Sequence, residues 1–115
     1  MKGKMEIQTR DENGIIIFTI KGNLTFFSKD MVYKPYNEYL EQGRTKFVFN
    51  LQDIEYIDSS GMGVILIGAT KLKEERIRIV GNKRVKVIFD MLKADKFLSL
   101  FDSESEAFNS FKQKQ

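Results

Sequence analysis

Ile15-Ile16-Ile17-Phe18 is the stretch that most limits what this chain can fold into. Four consecutive apolar residues give a β-strand no polar face, and such a strand must be covered from both sides. A sheet with one face in water is therefore excluded as its home. The strand also has a clear start. Asp11-Glu12-Asn13-Gly14 separates it from the strand-like run Met5–Arg10, and Asn-Gly supplies the positive φ angles of a tight hairpin turn. The chain is expected to open with a β-hairpin over Met5–Arg10 and Ile15–Ile20, broken at Gly22.

From residue 28 the hydrophobic spacing switches repeatedly between helix and strand. Ser28–Gln42 sets Val32, Tyr36, Tyr39 and Leu40 at helical intervals, with Gly43 as C-cap; core packing is expected of Tyr36 and Tyr39. Pro35 inside this pattern is expected to start, kink or shorten the helix. Thr45–Leu51 is a β-branched and aromatic run that predicts a buried strand, and a short loop is expected after it. Ser60–Glu74 predicts a strongly apolar helix, and Arg76–Val80, alternating charged and apolar, a strand near a sheet edge. Arg84–Leu92 is helical, with Val85, Ile88, Phe89 and Leu92 facing inward, and Phe97–Phe101 is a short strand. Ser103–Lys112 predicts a last helix in which Ser103 caps, Glu106 completes a capping box, and Ala107, Phe108 and Phe111 face inward. The order is ββαβαβαβα. Alternating strands and helices require right-handed crossovers, hence a mixed, mostly parallel sheet with an N-terminal hairpin and helices packed on it. One α/β domain over residues 1–115 is expected, without linker or internal repeat.

Composition then removes whole classes of function. The 115 residues include no Cys, no His and no Trp. Disulfide scaffolds, Cys/His zinc sites, Cys nucleophiles and triads with a His base are excluded. The inventory suits a binding or switching module better than an enzyme; no catalytic residue, no cofactor and no metal site is expected. A net charge of +3 is too small to argue for nucleic acid. Residues 71–86 do carry Lys71, Lys73, Arg76, Arg78, Lys83, Arg84 and Lys86 against Glu74 and Glu75, which reads as a solvated rim at element ends. Met1-Lys2-Gly3-Lys4 leads into no apolar stretch of signal-peptide length, and no run reaches the roughly 18 residues of a membrane span. A soluble cytoplasmic protein, without membrane insertion, is expected.

The informative segment is Phe49-Asn50-Leu51-Gln52-Asp53-Ile54-Glu55-Tyr56-Ile57-Asp58-Ser59-Ser60-Gly61-Met62-Gly63. A strand ends, a loop follows and a helix begins, which is the usual functional edge of an α/β sheet. Ser59 or Ser60 is suited to cap the helix by accepting from its first free N–H groups. Gly61 and Gly63 are odd choices there, each costing roughly 1 kcal/mol against Ala in a helix interior. Four explanations compete. Asp58 and Ser59 are caps and the glycines permit close helix–sheet packing. Alternatively, the helix start binds phosphate or a nucleotide, with the basic rim of residues 71–86 assisting, although no P-loop pattern is present. Ser59 as a hydrolase nucleophile lacks a base. Last, Ser59 is itself phosphorylated as a switch.

These residues carry a resemblance. Asp58-Ser59-Ser60-Gly61-Met62-Gly63, preceded by Asn50-Leu51 and Ile57, is similar to the signature of the STAS domain of bacterial anti-sigma-factor antagonists. Gly22-Asn23-Leu24 before the first helix, and Val85, Ile88-Phe89-Asp90-Met91 and Phe97-Leu98 later, extend it over nearly the whole chain. The resemblance implies a protein that is not an enzyme. Its unphosphorylated form binds an anti-sigma factor, itself a serine kinase, and frees the sigma factor; a serine phosphatase reverses the kinase. It further implies Ser59 as phosphoacceptor, with Asp58, Ser60, Gly61, Met62 and Gly63 forming the contact surface. Thr25, in Gly22-Asn23-Leu24-Thr25, stands where kinase-binding members commonly carry Asp, and Glu74-Glu75-Arg76 replaces a usual small Gly pair. The alternative within the family is a scaffold module of another signalling or transporter complex, without a Ser59 switch. The oligomeric state is left open.

Overall fold

The computed structural model describes residues 4–71 and 76–113. The hairpin forms as the Asn-Gly pair demands: β1 (Met5–Glu12) and β2 (Ile15–Leu24) pair antiparallel around a two-residue turn, with Asn13 at φ 53 and Gly14 at φ 86. The Gly14 N–H donates to Asp11 Oδ1 at 3.1 Å, locking the turn. The strand does not stop at Gly22, contrary to expectation. Gly22 instead takes φ 91 at a register shift, and β2 continues to Leu24. A side chain at Gly22 has no room, because the Lys4 carbonyl already occupies the space.

The remaining elements are α1 (Lys29–Glu41), β3 (Phe47–Leu51), β4 (Ile54–Ile57), α2 (Ser59–Lys71), β5 (Ile77–Gly81), α3 (Lys83–Met91), a 3₁₀ turn at Ala94–Lys96, β6 (Ser99–Phe101) and α4 (Glu104–Gln113). The expected fold class holds: a single α/β domain with a mixed sheet of six strands and four helices. The sheet order is β1-β2-β3-β5-β6, with β4 on the far half of β2; all pairings but β1·β2 are parallel. The strand β4 falls where a loop was expected. Its buried residues, Ile54 and Ile57, are three apart with Glu55 and Tyr56 exposed between them, so no two-residue alternation marks it in the sequence.

Pro35 neither starts nor ends α1, as the helix runs through it. Lacking an N–H, Pro35 removes one backbone hydrogen bond from the helix, and the helix is closed downstream as its Gly predicts. Gly43 at φ 86 donates to Leu40 O and Arg44 N–H to Tyr39 O, both at 3.0 Å, the Schellman arrangement. Ser103 caps α4 by accepting from Glu106 N–H at 3.1 Å. The expected tail of α2 through Glu74 lies outside the described residues.

Alternation along β2 divides the core in two. Ile16, Phe18 and Ile20 pack with Phe47, Phe49, Val32, Tyr36, Met62, Ile65, Val85 and Phe89, under α1, α2 and α3. Ile15 and Ile17 face the other way, onto Val48, Val80 and Ala107, covered by α4. The apolar run is thus covered on both sides, as its composition requires. On the α4 face, β5 lies one strand in from the edge and its Arg78 is buried. The Arg78 guanidinium sits 4.3 Å from the Phe111 ring centre and Nε donates to Ser110 Oγ at 2.7 Å.

Tyr36 is the keystone of the larger core. Its ring meets Phe47 and Phe49 edge-on at 5.1 and 5.0 Å, and Phe18 stacks on Phe49 at 4.9 Å. Burial pushes the Tyr36 phenol well above its ordinary value of 10.0. The unfolded chain therefore releases this proton first, so stability is full below about pH 10 and falls as pH climbs toward the folded-state value. The hydroxyl fits only because residue 68 is Gly: a Cβ there overlaps it. Gly68→Ala is expected to cost about 2–3 kcal/mol in urea unfolding. Adding Tyr36→Phe should return part of that loss; an unchanged midpoint for Gly68→Ala contradicts this packing.

Candidate functional site

Parallel pairing of β4 with the end of β2 sets Leu24 beside Ile57, so the segments that follow these strands emerge together. One is the turn Thr25–Ser28 that leads into α1; the other is Asp58 and the first turn of α2. The Asp58 N–H donates to Leu24 O at 3.3 Å, continuing the ladder by one bond.

Asp58 then takes the role that the sequence offered to Ser59 or Ser60. Its Oδ1 accepts from Gly61 N–H at 2.9 Å, and its carbonyl accepts the first helical bond from Met62 N–H at 3.1 Å. Asp58 is therefore the N-cap, which a negative carboxylate at the positive end of a helix favours. Its second oxygen, Oδ2, accepts from Phe26 N–H at 3.2 Å, so one carboxylate ties the α2 start to the β2–α1 turn. Ser59 is the first helical residue, exposed, and among the described residues its hydroxyl has no hydrogen-bond partner. Helix geometry leaves its N–H and that of Ser60 without intrahelical acceptors. An anion attached at Ser59 Oγ would meet a helix N-terminus, a favourable place for negative charge.

The two glycines differ. Gly61 is buried, and a Cβ there would overlap the Leu24 carbonyl and side chain. Close packing of α2 onto the end of β2 requires it. Gly63 has nothing within 4 Å of a Cβ, so no packing demand explains it.

The expected contact residues therefore separate. Asp58, Ser59, Ser60 and Gly61 lie together at the helix start, and Thr25 joins them through the turn: Thr25 Oγ1 accepts from Phe27 N–H at 3.1 Å while Phe26 N–H binds Asp58. Met62 is the correction. It is fully buried, sharing with Ile65 the face that α2 packs on the sheet, so its side chain is not on the surface. The basic run does not form one continuous patch either. Arg78 is buried, Lys71, Lys83, Arg84 and Lys86 are exposed, and Lys73 lies outside the described residues.

Phe26 and Phe27 were not singled out by the sequence reading. They are 60% and 93% exposed, directly beside Asp58. The available signal was two adjacent aromatics belonging to no periodic run, between the Gly22 break and the start of α1. Among the described residues no group of three or more metal-ligating side chains occurs, and no helix is long and apolar enough to cross a membrane.

The chain is similar to known proteins over most of its length. The family model described as STAS domain matches residues 6–107. The anti-sigma F factor antagonist of Paenibacillus polymyxa is 28% identical over 108 residues, covering 90% of this chain and 92% of its own. A crystal structure of an anti-sigma factor antagonist from Mycobacterium paratuberculosis superposes with a TM-score of 0.85 at 15% identity, covering 93% of each chain. The Bacillus cell fate determinant SpoIIAA in its phosphorylated form superposes with a TM-score of 0.70 at 17% identity, over 92% of this chain and 99% of that one. At these identities the two structures establish the shared fold.

Urea titration of single variants checks the division between the glycines. Gly61→Ala is expected to lose about 2–4 kcal/mol, because backbone stands where the methyl must go. Gly63→Ala should be neutral or gain up to about 1 kcal/mol from helix propensity, and Asp58→Ala should lose about 1–2 kcal/mol as a cap. Equal stability of the two glycine variants is incompatible with this packing.

Proposed function

The chain belongs to the STAS domain family, and on that premise we propose that it is an anti-sigma-factor antagonist switched off by phosphorylation of Ser59. In this reading the domain, residues 1–115, acts in the cytoplasm and performs no chemistry of its own. Its unphosphorylated face binds an anti-sigma factor that is also a serine kinase, which releases the sigma factor; a serine phosphatase resets it. Thr25, Asp58, Ser59, Ser60 and Gly63 mark that face, with Gly61 and Met62 supporting it from within.

The observation that carries the reading is the separation of two roles at the helix start. Asp58 caps α2, leaving the Ser59 hydroxyl exposed and uncommitted. A phosphoryl group on Ser59 adds about −1.5 to −2 charges and three acceptor oxygens. The helix dipole and first-turn N–H groups accommodate it, so the domain stays folded. A partner docked over the same spot must desolvate that charge beside the Asp58 carboxylate, which opposes binding. The homology to a named antagonist across 90% of the chain supports the same reading.

The deciding experiment uses the anti-sigma factors of the source genome, each produced as a recombinant protein. One of them is expected to bind the chain and, with ATP, to place a single phosphate on Ser59 detectable by mass spectrometry. Ser59→Asp should weaken that complex at least tenfold, about 1.4 kcal/mol, while Ser59→Ala binds like the parent and accepts no phosphate. Phosphate on Ser60, or equal affinity of the Asp and Ala variants, rejects the switch; the latter result fits the scaffold alternative.

A further inference from the structure

Phe26 and Phe27 are presented to solvent by a turn that is held rigid. The Thr25 N–H donates to Ser28 Oγ at 3.0 Å, Ser28 Oγ–H donates to Asn23 O at 2.7 Å, and Phe27 N–H donates to Thr25 Oγ1 at 3.1 Å. Thr25 O accepts from Ser28 N–H at 3.1 Å and from Lys29 N–H at 2.8 Å, and Asp58 Oδ2 holds Phe26 N–H. Ser28 is buried although polar, its hydroxyl spent on the turn rather than on capping α1. The two rings pack edge-on at 5.4 Å, and Met31, 52% exposed, follows on the first turn of α1.

Core packing explains none of this. Phe27 is 93% exposed, so apart from its contact with Phe26 it buries almost no surface in the folded chain, and its N–H is held within the hydrogen-bonded turn. Rigid, preformed aromatics are what interfaces use as anchors, since no ordering entropy is lost on binding. The location is as informative as the exposure. The carboxylate that fixes the Phe26 N–H is that of Asp58, the residue before Ser59, so the turn that carries the aromatic pair abuts the helix start that carries the proposed phosphoacceptor.

We propose that Phe26 and Phe27 are the apolar anchor through which this chain binds its protein partner, the anti-sigma factor of the preceding section; the proposal rests on that reading. The partner must offer an apolar cavity next to the surface that covers Ser59. A lipid surface fits less well. Lys29, the first residue of α1, lies 5.3 Å over the Phe26 ring and pairs with Asp30 at 3.3 Å, and among the described residues no second cation stacks on either ring.

The test measures affinity for the anti-sigma factor that binds the parent chain, using Phe27→Ala, Phe26→Ala/Phe27→Ala and Phe27→Leu. Met91→Ala serves as control, because Met91 is 70% exposed on a different helix. Phe27→Ala is expected to weaken binding about tenfold or more and the double variant further, with Phe27→Leu retaining most affinity and Met91→Ala all of it. Urea midpoints of the Phe27 variants should match the parent, which separates an anchor from a structural residue. Binding of the double variant within twofold of the parent overturns the anchor while leaving the Ser59 switch standing. Absence of any anti-sigma factor that binds the parent overturns both. Phe27-dependent retention on phosphatidylserine-containing vesicles, with partner affinity unchanged, overturns the anchor in favour of a membrane.

Discussion

Strand β2 has more neighbours than one ordinary strand can serve, and its solution shapes everything at the functional edge. Its first half, from Ile16, runs beside β3; its second half, from Gly22, runs beside β4; β1 covers the opposite side from Ile15 to Gly22. The switch of neighbours demands a local irregularity, which Gly22 provides with φ 91 and no side chain to collide with Lys4. Had β2 ended at Gly22, Leu24 and Ile57 would not be paired, and the turn after one strand would not meet the helix after the other. The sheet therefore does more than support the site. It brings into hydrogen-bond contact two segments separated by 32 positions, Phe26 and Asp58.

That contact settles a competition among three neighbouring oxygen-bearing side chains. Asp58, Ser59 and Ser60 can each cap a helix, and the carboxylate wins because it alone has two oxygens placed to serve both Gly61 N–H and Phe26 N–H. The consequence is energetic as well as geometric. If Ser59 were the cap, modifying it would sacrifice about 1 kcal/mol of folding stability. With Asp58 in that role, a phosphate on Ser59 gains a favourable interaction with the helix terminus and meets an unfavourable one with the adjacent carboxylate, both on the order of 1 kcal/mol at an exposed position. These oppose each other within the domain. At an interface the same charge must be stripped of water, which costs several kcal/mol per ion. In the proposed complex, a modification at Ser59 would thus act on binding far more than on folding.

Much of this was legible in the sequence wherever the cause is local. The Asn13-Gly14 turn, the Gly43 stop of α1 and the Ser103 cap of α4 each depend on neighbours a few positions away. The doubly apolar Ile15–Phe18 run announced coverage on both faces, and α4 supplies the second cover. What the sequence hid depends on distant partners. Strand β4 exists because β2 offers it an edge, and its three-residue spacing of buried isoleucines imitates no strand pattern. The burial of Met62 follows from how α2 lies on the sheet, not from the apolar stretch around it, which is rich enough to hide the buried face. Arg78 reads as a solvent-facing charge until Phe111 and Ser110 of α4 close over it.

The same dependence on distant structure separates affinity from control in the proposed interface. Apolar burial contributes in proportion to area and is indifferent to the charge of a group several ångströms away, so an anchor at Phe26 and Phe27 holds a partner equally in either phosphorylation state. Charge at Ser59 contributes almost nothing to attraction when absent and opposes docking strongly when present. A face built from Ser59 alone would have to derive both its affinity and its switching from one small polar residue. Joining it through Asp58 to a rigid aromatic turn assigns each task to the chemistry suited to it. The unphosphorylated complex can then be tight, while each tenfold of release requires only about 1.4 kcal/mol from the phosphate.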